Sequence, residues 1–248
     1  MPNLGYETKK IKEKFKAILK EILYFLRLKK KPIFNNIAKN ISGIIHIGAN
    51  EGQEREKYEK YSLSVIWIEP IPEVFEQLKS NIKEYPNQRA FKYLLTDEDN
   101  KEVTLKIANN NGQSSSILDI GLHINIWPEI NYINSIKLRS LTLATLIKNE
   151  KINIQKYQAL VIDTQGSELL VLKGASEILK KFKYIIVEAA DFESYVGCCT
   201  IKDLTYYLNN FGFNEIDRTK FAYHPKAGSY YDVVYEGYYR KLQQNEPL

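Results

Sequence analysis

The chain has 248 residues, of which 44% are hydrophobic, and a formal net charge of +5. This length suits one α/β domain with a sizeable core. No apolar stretch is long enough to span a bilayer and no secretory leader is evident, so we expect a cytoplasmic protein with reduced thiols at Cys198 and Cys199.

The positive charge is concentrated near the N-terminus. Residues 7–31 hold ten Lys and Arg against three Glu, which gives +7 and leaves −2 for the remainder. Apolar residues recur there at helical spacing, so we predict a basic amphipathic helix over residues 1–32 and a main domain over 33–248. The helix either contacts an anionic membrane surface or a partner, or packs on its own domain or on a second copy in a homodimer. The main domain lacks the basic surplus of a nucleic-acid-binding groove.

Five apolar runs each end on a polar or acidic residue, as is typical of parallel strands buried on both faces. The runs are Ile44–Gly48, Val65–Glu69, Phe91–Asp97, Ala159–Asp163 and Tyr184–Glu188. Ligands of such sheets bind beyond the carboxyl ends of the strands. We therefore expect Glu69, Asp97, Asp163 and Glu188 to gather at one edge.

Helical patterns alternate with these runs, which predicts a doubly wound sheet with right-handed crossovers. They cover about 52–61, 72–84, 142–150, 166–181 (two short helices) and 200–210. Residues 102–139 lack a clear helix: after a strand-like Val103–Ile107, a polar stretch and a long loop predict a lid or binding loop. The C-terminal Tyr230–Tyr235 run predicts an antiparallel strand.

The first strand leads into the turn Gly48-Ala49-Asn50-Glu51-Gly52. Glycines at such a turn let the backbone approach a ligand, although an ordinary tight turn would use them too. The spacing differs from the G-x-G-x-x-G of dinucleotide-binding proteins. Glu69, at the end of the next strand, could accept both hydroxyls of a ribose, and no basic cluster for a pyrophosphate accompanies it. The pattern favours a nucleoside without phosphates, of which S-adenosylmethionine is the common example.

Four segments resemble the FkbM family of S-adenosylmethionine-dependent methyltransferases, with similarity over about residues 42–215. They are Ile45–Glu54, Trp67–Pro72, Asn111–Leu118 and, most specifically, Val161–Ala175. The resemblance implies a seven-stranded class I methyltransferase (Rossmann-like) sheet with an antiparallel C-terminal strand. It also implies O-methylation of a sugar or another hydroxyl-bearing metabolite, as in polysaccharide biosynthesis.

The residues expected to bind the donor follow from the turn, the strand ends and the resemblance together. They are His46, Gly48, Asn50, Gly52, Glu69, Thr96, Asp97, Asp163 and Gln165. Two of them depart from the family pattern: many members have an acid in place of His46, and members commonly have Glu in place of Gln165.

Asp163 and Glu188 end strands that should be neighbours, and we predict both to be catalytic. A carboxylate can take the proton of an attacking hydroxyl, or the pair can hold Mg²⁺. Asp163 could instead cap the following helix or bind the amino group of the donor. His123, in the irregular segment, is the alternative base.

The sequence thus favours an S-adenosylmethionine-dependent O-methyltransferase acting on a sugar hydroxyl in a glycan or glycoconjugate. One alternative is a methyltransferase of a small-metabolite hydroxyl. Another is a non-catalytic scaffold on the same fold, recruited by its basic helix to a membrane-bound glycan assembly; in that case the protein would lie at the membrane surface.

Overall fold

The computed structural model describes residues 32–237. The predicted basic helix, with its membrane, partner and dimer interpretations, lies outside the described residues. The chain divides into a unit ending at Ile37 and a unit beginning at Ala38. At their boundary lies helix α1 (Pro32–Ala38), which begins with proline, a residue whose fixed φ suits the first helical position. Between residues 32 and 237, no helix combines the length and the apolar character needed to cross a membrane.

A seven-stranded sheet forms the centre of the second unit. Its strands are β1 (Gly43–Ile47), β2 (Ser64–Ile68), β3 (Gln88–Phe91), β7 (Ala159–Ile162), β8 (Tyr184–Ala190), β9 (Phe213–His224) and β10 (Gly228–Gly237). The spatial order is β3-β2-β1-β7-β8-β10-β9. The first five pair in parallel, and β10 runs antiparallel to both β8 and β9. The predicted seven-stranded doubly wound sheet with an antiparallel C-terminal strand is confirmed.

Five further helices connect the strands of this unit. They are α2 (Arg55–Glu59), α3 (Pro72–Asn81), α4 (Leu143–Asn149), α5 (Glu168–Gly174) and α6 (Ile201–Asn210). Local chemistry fixes several of their starts. The Thr142 side chain accepts from the backbone of Thr145 ahead of α4, and Thr200 and Asp203 form a reciprocal capping box at α6. The helices pack on fully buried strand residues such as Ile45, Leu160 and Ile185.

The predicted strand over Phe91–Asp97 is wrong, because the chain leaves the central sheet at Phe91. The next residues form β4 (Leu94–Leu95), which belongs to a separate three-stranded sheet with β5 (Glu102–Ala108) and β6 (Tyr132–Leu141). β3 ends on the half-buried Phe91 and both residues of β4 are buried, so the apolar run continues through the break and conceals it. Asp97 is therefore exposed and does not end a strand of the central sheet.

The irregular segment contains one long strand that the sequence did not indicate. Strand β6 pairs antiparallel with β5 over its length, but most of its side chains are exposed or half-exposed, which weakens its apolar signal. Between the two strands, residues 109–131 form a loop with a single short 3₁₀ turn at Leu122–Asn125. The Ser116 hydroxyl of this loop donates to the carbonyl of Gln165 beyond β7, so the loop reaches the carboxyl edge of the central sheet. Its role as a lid or binding loop stays a prediction.

Candidate functional site

A first cavity opens at the carboxyl ends of β1, β2 and β7. Its empty volume is about 550 Å³, including space open to solvent. Its polar wall includes Gly48, Asn50, Glu69, Ser115, Asp163 and Gln165. Its apolar wall includes Ile47, Ile68, Ile71, Leu94, Leu95, Leu105 and Ile117.

The glycine turn after β1 is shaped by the neighbouring strands. Gly48 has φ +78°, and its amide and that of Ala49 both donate to the carbonyl of Ile68. A Cβ at position 48 would overlap the backbone carbonyl of Asp163. Only glycine allows this close approach between the β1 turn and the end of β7. Asn50 continues the turn with φ +44° and donates its side-chain amide to the carbonyl of Asn111 in the loop, at 3.1 Å.

Glu69 ties this turn to the start of α3. One carboxylate oxygen accepts the backbone N–H of Asn50 and the other that of Ile71, each at 2.9 Å. The side chain is 3% exposed, and burial raises its pKa to about 7 despite the two hydrogen bonds, which act in the opposite direction. A carboxylate offers about four acceptor positions, so each oxygen can take a further hydrogen bond from a ligand hydroxyl.

Asp163 and Gln165 line the cavity after β7, on the other side of β1 from Glu69. The Gln165 side-chain amide donates to an Asp163 carboxylate oxygen at 2.6 Å, and the Tyr195 hydroxyl donates to the amide oxygen of Gln165 at 2.7 Å. Gln165 has φ +53°, and its backbone carbonyl accepts from the Ser116 hydroxyl at 2.7 Å. These contacts fix the side chain of Gln165, and they hold its backbone in a left-handed conformation that residues other than glycine seldom adopt.

Glu168 organises the same turn from within. A single carboxylate oxygen accepts the backbone N–H groups of Thr164, at 3.0 Å, and Gly166, at 2.9 Å. The side chain is buried, and burial raises its pKa. Glu168 thus holds the loop between β7 and α5 in shape.

A second, smaller cavity lies beside the first and shares Gln165 with it. Its empty volume is about 270 Å³, including space open to solvent. Glu168, Glu188 and Ser194 contribute polar groups to its lining, and Ala190, Tyr195 and Tyr230 contribute apolar surface. The two cavities together present polar groups at the edge where open α/β sheets bind their ligands.

Comparison with protein families decides the class of this chain. A family model described as the Methyltransferase FkbM domain matches residues 46–215. The chain belongs to this family. The matched range includes every residue assigned above to the first cavity.

Solved structures with similar folds include several methyltransferases. The chain is 11% identical to TrmK of M. capricolum, solved with S-adenosyl-homocysteine (84% of this chain and 69% of that chain covered, TM-score 0.47). It is 12% identical to Aeropyrum pernix fibrillarin, solved with S-adenosyl-L-methionine (78% and 66% covered, TM-score 0.44). It is 9% identical to magnesium protoporphyrin IX methyltransferase of Synechocystis PCC 6803 (94% and 86% covered, TM-score 0.41). Similarities of this size carry no information about the substrate. No curated protein matches the sequence significantly.

The structure does not bring His46 to either cavity. Alternate residues of β1 face opposite sides of the sheet, and while Ile45 and Ile47 enter the main core, His46 faces the other side. Its ring stacks on Trp67 with centroids 5.0 Å apart, and Nδ1 lies 3.1 Å from the Tyr58 hydroxyl. Burial lowers the pKa of His46.

Gly52, Thr96 and Asp97 also lie outside the lining of the two cavities. Gly52 has φ +71° and packs against Leu78, which explains the glycine without a ligand. The Thr96 hydroxyl exchanges hydrogen bonds with the backbone of Glu98. Of the predicted donor-binding residues, the structure brings together Gly48, Asn50, Glu69, Asp163 and Gln165.

The predicted catalytic carboxylates follow neighbouring strands but line different cavities. Ile162 of β7 is in register with Val187 of β8, so Asp163 and Glu188 come next to each other at the sheet edge. Asp163 lines the first cavity, and Glu188 lines the second. Among residues 32–237, no group of three or more His, Cys, Asp and Glu side chains is arranged to hold a metal ion, so the predicted Mg²⁺ has no support here.

His123 lies in an aromatic cluster next to the second cavity. It is 3% exposed, its Nδ1 is 2.7 Å from the Tyr230 hydroxyl, and its ring contacts Trp127 and Tyr195. Burial lowers its pKa to about 4, so its ring is neutral at pH 7. His123 does not line either cavity, although Tyr195 and Tyr230 line the second.

Sequence reasoning did not single out several loop residues of the first cavity. Gly112, Gln113, Ser115 and Ile117 all line it. The Ser115 hydroxyl accepts the backbone N–H of Ala108 at 3.0 Å, which folds the loop back onto β5. The polar Asn111–Ser116 stretch was the available signal, but its composition does not tell which side chains face the ligand.

Proposed function

We propose that this chain is an S-adenosylmethionine-dependent O-methyltransferase that methylates a sugar hydroxyl in a glycan or glycoconjugate. The observation that carries the proposal is that Glu69 and Asp163, which follow the strands on either side of β1, both line the first cavity. Membership of a methyltransferase family indicates methyl transfer as the reaction. Glu69 and Asp163 support S-adenosylmethionine as the methyl donor.

The first cavity fits a nucleoside without phosphates. Glu69 keeps acceptor positions on both carboxylate oxygens for ribose hydroxyls, and the apolar side chains beside it suit a purine ring. Among the residues that the structure describes, no Lys, Arg or His lines this cavity, so a phosphate would have no cationic partner. Asp163 offers a carboxylate to the donor's ammonium group.

S-adenosylmethionine supplies a methyl group on a positively charged sulfur, which an acceptor oxygen can attack in line. The chain's own residues must align the acceptor and take its proton, since an alcohol is a poor nucleophile. Asp163 lines the first cavity and accepts a hydrogen bond from Gln165, the residue that the two cavities share. Asp163 therefore either receives the acceptor's proton or holds the donor's ammonium.

Isothermal titration calorimetry with S-adenosylmethionine and S-adenosylhomocysteine tests the donor. We expect saturable binding of both, and a folded protein that binds neither would refute the proposal. Transfer of a tritiated methyl group to hexosides and to glycan fractions then tests the acceptor.

Asp163→Asn separates the two roles of Asp163. If Asp163 takes the acceptor's proton, kcat falls while S-adenosylhomocysteine affinity changes little. If it binds the ammonium, affinity falls with kcat.

A further inference from the structure

The end of the β9–β10 hairpin carries aromatic and basic side chains on one face. Lys220 of β9 is in register with Tyr231 of β10, and Tyr223 of β9 with Ser229, so Lys220, Tyr223 and Tyr231 share a face of the sheet. Tyr223 is 62% exposed and Lys220 is exposed, whereas Tyr231 is partly buried. We call these three side chains the β9–β10 platform.

Lys220 is positioned by the two aromatic rings of the platform. Its Nζ lies 5.2 Å from the ring centroid of Tyr223 and 5.6 Å from that of Tyr231. Such contacts hold an ammonium group at the negative face of a ring and leave its charge in place. Among the described residues, no carboxylate forms an ion pair with Lys220. The ammonium group is therefore positioned and open to an anion.

The charged side chains next to the platform already have partners. Arg218, whose guanidinium carbon lies 5.5 Å from the Tyr231 centroid, donates two hydrogen bonds to Glu215, at 2.8 and 2.6 Å. Asp191 accepts the backbone N–H of Ser229 at 2.8 Å and the Tyr231 hydroxyl at 3.3 Å. The platform itself thus brings a single cation to a ligand. One cation suits an isolated anionic group better than the closely spaced phosphates of a nucleic acid, which need several cations.

The platform lies at the same edge of the sheet as the first cavity. β10 runs antiparallel to β8, and Tyr230 near its start is in register with Ala190 at the carboxyl end of β8. In the strand order, β9 lies three strands from β7, which is about 14 Å at ordinary strand spacing. A single sugar next to Asp163, which follows β7, cannot span that distance, whereas an oligosaccharide can.

We propose that the β9–β10 platform binds an anionic sugar residue of an oligosaccharide or polysaccharide acceptor, at a distance from the sugar that is methylated. The exposed ring of Tyr223 offers apolar surface to the C–H face of a pyranose, and Lys220 beside it binds the carboxylate, phosphate or sulfate group. This proposal rests on the proposed function and narrows its acceptor to acidic glycans.

Hexagalacturonate, an anionic oligosaccharide, tests the platform without methyl transfer. We expect calorimetry at low salt to show about tenfold tighter binding of hexagalacturonate than of neutral maltohexaose, and added salt should reduce the difference. Lys220→Glu should weaken hexagalacturonate binding about tenfold or more, and Lys220→Met, which keeps the apolar stem, should weaken it less. Equal affinities of the wild type for the two oligosaccharides would overturn the proposal.

Substitutions of Tyr223 test the contribution of its ring. Tyr223→Ala should weaken hexagalacturonate binding about fivefold, because it removes the stacking surface and one of the two rings that position Lys220. Tyr223→Phe keeps the ring and should bind within about twofold of wild type. Equal losses in Tyr223→Ala and Tyr223→Phe would refute stacking on this ring. Because Tyr223 is exposed, neither change should unfold the protein.

Lys83→Glu is the matched control for Lys220→Glu. It makes the same charge change at an exposed lysine that follows α3 and precedes β3, the strand at the opposite edge of the sheet from β9. It should leave hexagalacturonate affinity within about twofold of wild type. Equal losses in Lys83→Glu and Lys220→Glu would show a general charge effect and overturn the proposal. Affinity for S-adenosylhomocysteine reports folding and should not change in any variant, since none of these residues lines the first cavity.

The outcomes separate the two proposals. Failure of the wild type to bind S-adenosylhomocysteine, or methylation of no glycan fraction in the tritium assay, defeats the proposed function. Normal donor binding with preferential methylation of neutral glycan fractions defeats only the platform inference. Lys220-dependent binding of a hexadeoxynucleotide, or of vesicles that contain anionic lipid, would also defeat it if that binding were tighter than that of hexagalacturonate, because the partner would then be a nucleic acid or a membrane.

Discussion

Gln165 donates its side-chain amide N–H to Asp163 at 2.6 Å, and the Tyr195 hydroxyl holds the opposite end of that amide at 2.7 Å. Burial keeps the Tyr195 hydroxyl protonated by raising its pKa, so it acts as a donor and the amide oxygen must accept. The amide nitrogen therefore faces the carboxylate. Asp163 is presented to the first cavity as an oriented hydrogen-bond acceptor with a neutral neighbour.

Gln165→Glu would place a second carboxylate beside Asp163. Two carboxylates at this distance share a proton, and the pair titrates with a raised apparent pKa. Because the donor's ammonium group favours the charged pair, S-adenosylhomocysteine binding should weaken near pH 6 and recover toward pH 9, with release of one proton more than wild type.

Calorimetry in two buffers of different ionisation enthalpy counts these protons. Tyr195→Phe, which removes the hydroxyl and leaves the carboxylate pattern unchanged, is the control and should not add a proton. An equal proton count for Gln165→Glu and wild type would show that Gln165 does not govern the charge at Asp163.

Glu69 should make donor binding depend on pH. Its pKa of about 7 in the free protein means that it is mostly protonated at pH 6, whereas ribose hydroxyls donate best to the ionised form. Affinity for S-adenosylhomocysteine should therefore be about tenfold weaker at pH 6 than at pH 8.5. Since the folded-state pKa lies above the ordinary value, this group's contribution to the stability of the ligand-free protein decreases as pH rises from about 4.5 through 7.

Glu69→Gln should remove that pH dependence and weaken donor binding about tenfold or more, as expected for losing a charged acceptor. The new side chain keeps one acceptor oxygen, and its amide nitrogen, which can only donate, faces the N–H of either Asn50 or Ile71, so one hydrogen bond and some stability are lost as well. Asp97→Asn makes the same chemical change at an exposed residue outside both cavities and should alter neither property. Equal effects of Glu69→Gln and Asp97→Asn would show that Glu69 does not bind the donor.

The strands that the sequence predicted well are those buried on both faces. β1, β2, β7 and β8 are continuous apolar runs, and the glycine or acidic residue that ends each run indicated the edge of the sheet. The pattern failed where burial is one-sided or broken. β6 and β9 expose alternate residues, and the run through Phe91 and Leu95 conceals a change of sheet.

The sequence could predict those site residues that directly follow a strand of the central sheet. Glu69 and Asp163 follow their strands directly, so sheet topology alone brings them to one edge. The contact between Gln165 and Tyr195 joins positions thirty residues apart without periodicity, so no local pattern could indicate it. His46 shows another limit: the run around it predicted the strand, but not that this side chain packs on the Trp67 and Tyr58 side of the sheet and reaches neither cavity.

Gly48→Ala should destabilise the protein more than Gly197→Ala, although the two glycines have nearly the same φ, +78° and +76°. Both substitutions place alanine in the left-handed region, at a cost of about 1–2 kcal/mol. At position 197 nothing lies within 4 Å of the new Cβ, whereas at position 48 the Cβ would overlap the Asp163 carbonyl. We expect Gly48→Ala to lower Tm by several degrees more. Equal Tm values would mean that the β1 turn can move away from β7 at no cost.

The last prediction concerns acid stability and His123. Its folded-state pKa of about 4 lies below the ordinary 6.5, because burial disfavours the charged ring. Between these values the unfolded chain binds a proton that the folded protein does not, so stability falls as pH drops through this window. From pH 7 to pH 5 the loss should be about 2 kcal/mol, at 1.36 kcal/mol per pKa unit.

His123→Phe keeps an aromatic ring among Trp127, Tyr195 and Tyr230 but cannot titrate, and it leaves the Tyr230 hydroxyl without the His123 partner. Urea unfolding should therefore show a variant that is less stable at pH 7 and loses about 2 kcal/mol less than wild type on going to pH 5. A second variant, Tyr230→Phe, removes the same hydrogen bond but retains the histidine, so its acid sensitivity should remain. If His123→Phe and wild type lose equal stability between pH 7 and pH 5, the buried ring is not the group that titrates.

If His123 is also the catalytic base, the acid limb of kcat/KM should lie near pH 4 and disappear in His123→Phe. An unchanged acid limb would mean that Asp163 takes the proton of the acceptor.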